Sequence, residues 1–105
     1  MIIEMRTYKT KPGCRARFLE IFHTRVIPAH DEIGMKILGP FLSLEDADTF
    51  FFMRRFPDLA SRDPMKARFY EGDLWRGELE QVLMPMLEKY DVVLVDDPDR
   101  LVQWH

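Results

Sequence analysis

The chain has 105 residues, 47% of them hydrophobic and 31% charged, with fifteen basic against eighteen acidic side chains and a formal net charge of −3. That balance suits one folded domain, residues 1–105, and excludes wholesale disorder; without a clustered basic excess, a nucleic-acid footprint is excluded too. A single cysteine, Cys14, rules out an intramolecular disulfide framework and suits a reducing cytoplasm, the expected location.

Residues 2–10 alternate and are rich in strand formers, which predicts a first strand that stops at Lys11-Pro12-Gly13. Glu4 and Arg6 interrupt any apolar leader there, and no segment is long enough to insert in a membrane. From Cys14 the period changes: Phe18, Leu19, Phe22, Val26 and Ala29 recur at helical steps, with Pro28 expected to kink or end the helix before Gly34. Met35 to Leu44 reads as a second strand, placed at an edge or bulged because Pro40 cannot donate to a ladder. The acidic turn Glu45-Asp46-Ala47-Asp48 joins it as a hairpin to a third strand, Thr49 to Phe56.

That third strand is apolar on both parities through Phe50, Phe51, Phe52 and Met53, so it needs cover on both faces and belongs at the centre of a sheet. Helices cover one face, and a second copy of the chain is expected on the other, with Phe50 and Phe52 at that contact. Asp58 is a plausible cap for a helix carrying Leu59, Arg62, Met65, Lys66 and Phe69. Gly72 breaks it, and Asp73 opens another helix striped by Trp75, Leu79, Val82, Met86 and Tyr90, bent by Pro85. Val92 to Val95 supplies the last strand, and Leu101, Val102 and Trp104 are too apolar for a free tail.

The order β-α-β-β-α-α-β predicts an α+β, ferredoxin-like split βαβ fold: a four-stranded antiparallel sheet with its first and third strands central and helices on one face. Two such sheets face to face make a dimeric α+β barrel.

Glu4-Met5-Arg6-Thr7-Tyr8, the Lys11-Pro12-Gly13 turn, the stretch Arg55 to Arg62 and Arg68-Phe69-Tyr70 through Trp75, taken in order, resemble the NIPSNAP family. The resemblance implies the same dimeric α+β barrel and a biochemical role that is poorly defined. Arg54 stands where the family commonly has tryptophan, and Phe56 where it has tyrosine.

Glu4, Arg6 and Tyr8 share one face of the first strand, and a pairing register summing to 58 sets Arg54 opposite Glu4. One reading is a polar pocket in which Arg6 or Arg54 grips an oxyanion or carboxylate and Tyr8 orients it. The other is a charge-paired network that fixes register or the interface. His23, Ile27 and His30 lie on one flank of the helical stripe, either bordering a cavity as acid or base or marking the stripe's rim. Tyr70, Trp75 and Phe69 line an aromatic slot or fill the core. Cys14 has no histidine beside it in sequence, His105 is terminal, and no phosphate loop, nucleophile elbow or metal signature is present, so neither metal nor cofactor is expected. Two functions remain open: a homodimeric module that binds a small apolar or amphipathic molecule or serves interactions, and a cofactor-independent monooxygenase-like enzyme.

Overall fold

The computed structural model describes residues 1–104, and His105 lies outside the described residues. The elements are β1 (Ile2–Thr10), α1 (Arg15–Ile21), α2 (Ile27–Ile33), β2 (Ile37–Leu42), β3 (Thr49–Phe56), α3 (Leu59–Tyr70), α4 (Glu80–Leu83) and β4 (Leu87–Asp96). All pairings are antiparallel in the order β2-β3-β1-β4, so β1 and β3 are central, as the alternation and the phenylalanine run require. β2 is the edge strand that Pro40 demands, with a register shift between Leu38 and Phe41. Glu4 does pair with Arg54.

α1 and α2 form one continuous rod through a π-turn at Phe22–Val26, where the Ile27 N–H reaches back to the Phe22 carbonyl. Pro28 does not end the rod: it follows the π-turn directly, in the first turn of α2. The π-turn also has a geometric effect. At 3.6 residues per turn, a row of residues four apart drifts around the helix by about 40° per step, and one wide turn cancels much of that drift. Phe18, Phe22, Val26 and His30 thereby stay in line toward the sheet, all buried. A second π-turn, Trp75–Leu79, does the same for Trp75, Leu79 and Leu83 ahead of α4. The rod stops at Gly34, whose φ of 95° accommodates the left-handed cap. Asp58 caps α3 by accepting from the Ser61 N–H at 2.8 Å.

The core lies between the helices and one sheet face, where Phe50, Phe52 and Phe56 meet Phe18, Phe22 and Phe69. Each such ring removed from water contributes roughly 1.5–3 kcal/mol. Phe50 and Phe52, expected at the contact with a second copy, are thus under the helices at 0% and 2% exposure. Strand alternation explains the correction: their neighbours Tyr8 and Arg6 on β1 share the helix side, so the odd residues Phe51 and Met53 carry the other face.

That other face bears Met5, Phe51, Met53, Leu38 and Phe41, with Val93 beyond them. Phe41 and Val93 are 49% and 58% exposed. One corner is covered by the chain itself, since Asp97 donates its N–H to the Met1 carbonyl and Trp104 lies against the Arg55 guanidinium at 5.8 Å. β4 is longer than the four residues expected, and it bares Tyr90, Val92 and Leu94 on its helix side as well. Among the described residues, no helix is long and apolar enough to cross a membrane.

Candidate functional site

Between sheet and helices lies a cavity of about 290 Å³. Phe18, Phe22 and Val26 from the first rod and Phe69, Trp75 and Leu83 from the later helices make its apolar walls. From the sheet come Arg6, Tyr8, Phe52, Arg54 and Tyr90, and α3 adds Lys66 and Tyr70.

One carboxylate organises the polar end. Glu4, fully buried on β1, accepts from Arg54 Nε and from Arg6 Nη1 at 2.8 Å on one oxygen. Its other oxygen takes Arg62 at 2.7 Å and faces the Lys66 ammonium at 3.6 Å. Arg62 and Lys66 are four residues apart and so share one face of α3. Burial alone would raise the Glu4 carboxyl, but Arg54 first and then Arg6 and Arg62 outweigh it and hold the group at about 2. Four cations against one buried anion leave this corner positive.

Arg54 is the hub. Nη1 donates to His30 Nε2 at 2.9 Å and to the Tyr70 oxygen at 2.8 Å, while Nη2, equally buried, has no partner among the described residues. His30 closes the circuit on its other side, where Nδ1 donates to the Val26 carbonyl at 2.9 Å. Burial and then the adjacent Arg54 charge push His30 down to about 3, so the ring is neutral and its Nε2 lone pair is already engaged. Across the cavity Arg6 Nε donates to the Tyr8 oxygen at 3.2 Å, and burial pushes the Tyr8 phenol up to about 12. Tyr8 pairs with Tyr90 across the β1/β4 ladder, their rings 5.5 Å apart.

Six of the seven residues expected from sequence therefore converge: Glu4, Arg6, Tyr8, Arg54, Tyr70 and Trp75. His23 does not. It is exposed on the π-turn, and His30 takes the inward position because the π-turn breaks the wheel on which the two shared a flank. Arg62 and Lys66 were missed as site residues, although two cations on the apolar stripe of a helix already demand a buried anion beneath it. Tyr90, expected on a helical stripe, lies instead on β4. Cys14 lies outside the cavity wall. Among the described residues, no three His, Cys, Asp or Glu side chains are grouped to hold a metal ion.

The arrangement defines a ferredoxin-like α+β domain with an aromatic cavity and a cationic inner end. A sequence model of the NIPSNAP family matches residues 3–90, and the chain belongs to the NIPSNAP family. No curated protein matches it. Among solved structures, an uncharacterized NIPSNAP domain protein from Burkholderia xenovorans is similar at a TM-score of 0.83 and 19% identity, covering 98% of this chain and 100% of that one. A NIPSNAP family protein from Agrobacterium tumefaciens reaches 0.81 at 18% identity over 93% of each chain. A structure named as an antibiotic biosynthesis monooxygenase reaches 0.68 at 18% identity, over 92% of this chain and 98% of that one. At such identities these likenesses show the fold alone.

Proposed function

We propose that the chain works in the cytoplasm as a homodimeric binding module that holds a small apolar or amphipathic molecule between sheet and helices. The observation that carries this reading is the cavity itself: aromatic walls closed at one end by a fixed set of polar groups, the composition of a ligand site. Dimerisation is supported by the second sheet face, where Phe41, Val93 and their neighbours form a contiguous apolar surface that a second sheet would bury.

The monooxygenase-like alternative has less support from the same geometry. A base is needed to draw a proton from a substrate, yet Glu4 is saturated by cations and the His30 lone pair is taken by Arg54. Native mass spectrometry of freshly purified protein tests the binding reading. A species of twice the subunit mass, carrying a displaceable small molecule, is the expected result; a bare monomer overturns it.

A further inference from the structure

We infer that the cavity is specific for a carboxylate on an apolar, aryl-sized body, with Arg54 Nη2 receiving the carboxylate. This rests on reading the cavity as a ligand site, and three observations carry it further.

The spare hydrogen-bonding capacity at the polar end is donor capacity. Arg54 is 1% exposed and lines the cavity, yet its Nη2 has no partner among the described residues, an arrangement that leaves a charged donor short of an acceptor. Tyr8 and Tyr70 each accept from an arginine through their oxygens, which leaves each phenol its own proton to give. The ring acceptor, His30 Nε2, is already used.

Charge points the same way. Arg6, Arg54 and Lys66 line the cavity and no Asp or Glu does. Glu4 stands behind Arg54 and neutralises one of the four cations around it.

A carboxylate presents two oxygens, which Arg54 Nη2 and the two phenols satisfy, and a single negative charge suits the mostly aromatic walls better than a dianionic phosphate does. Glu4 and His30 are positioning residues: they hold Nε and Nη1, so that Nη2 is the guanidinium nitrogen left for the ligand.

Isothermal titration calorimetry on the wild-type protein with 2-naphthoate, 2-naphthamide and 2-naphthyl phosphate decides the matter, because the three share one body and differ in the head. Naphthoate is expected to bind once per subunit and about tenfold or more tighter than naphthamide, the worth of one charge-assisted hydrogen bond, with the phosphate weaker than naphthoate. The variant Arg54→Met, which removes the Nη2 donor and leaves Glu4 paired with Arg6, Arg62 and Lys66, is expected to bring naphthoate and naphthamide within about twofold. Should that variant fail to fold, the wild-type ratio alone is decisive. Equal binding of acid and amide, or tighter binding of the phosphate, overturns the carboxylate assignment while leaving the cavity as a ligand site. Binding of none of the three overturns both.

Discussion

Glu4 and Arg54 stand opposite each other on β1 and β3, both sealed from water, and the carboxylate accepts the guanidinium Nε proton. A register slip of one residue would send Glu4 to the open face and leave Arg54, Arg62 and Lys66 without their anion. The pair therefore fixes the strand register from which the cavity is built. It also sets how stability depends on pH and on mutation.

The Glu4 carboxyl is lowered from 4.5 to about 2 in the folded protein, so the unfolded chain takes up a proton at that site first as pH falls. Its contribution, on the order of 3 kcal/mol, is fully present above pH 4.5 and is lost as pH falls toward 2. Urea unfolding of wild type and Glu4→Gln across that range should show the two stabilities converging at low pH. Parallel curves would contradict the ion-pair origin of the shift.

Removing Arg54 should cost less once Glu4 is gone. Arg54→Met alone leaves a buried carboxylate short of its closest cation and is expected to cost about 3–5 kcal/mol. In the Glu4→Gln background the same change should cost clearly less, a coupling that a double-mutant cycle in chemical denaturation measures. Additive losses would mean that the two side chains act independently.

His30, lowered from 6.5 to about 3 by burial and by Arg54, contributes stability that is full above 6.5 and is lost as pH falls toward its folded value. In a nitrogen-labelled sample its ring should show the Nδ1–H tautomer and no titration between about pH 5 and 8. His30→Ala, which leaves Arg54 Nη1 one acceptor short, is expected to cost about 1–3 kcal/mol in urea unfolding. A titration midpoint inside that pH window would show that the ring is not held by Arg54.

Local pattern made the sheet legible: alternation marked β1, the phenylalanine run marked β3, and Pro40 put β2 at an edge. The register sum that set Glu4 against Arg54 was readable because a charged pair in an apolar face has few places to go. What stayed hidden depends on geometry that a regular helical wheel does not contain. The π-turn at Phe22–Val26 exchanges His23 for His30, and the end of the last helix near Met86 turns Tyr90 from a helical stripe into a strand residue opposite Tyr8. Which parity of the Phe50–Met53 run faces the helices also escaped, since both parities are equally apolar and only the helix packing breaks the tie.

That tie supplies the sharpest test of the proposed dimer. Phe52 touches Tyr8 and Phe22 in the core, whereas Met53, its neighbour in sequence, belongs to the open face opposite Met5 and Leu38. Phe52→Asp combines a lost ring with a buried charge, a cost of at least about 4 kcal/mol, and should unfold the chain outright. Met53→Asp meets no helix, so in the proposed dimer its cost should fall on the contact between copies: circular dichroism should remain native while light scattering reports half the wild-type mass. If Met53→Asp keeps the wild-type mass, the open face is not where two copies meet. If it unfolds as Phe52→Asp does, the two faces are not separate in function. The contrast between adjacent residues of one strand isolates association from folding in a way that neither substitution achieves alone.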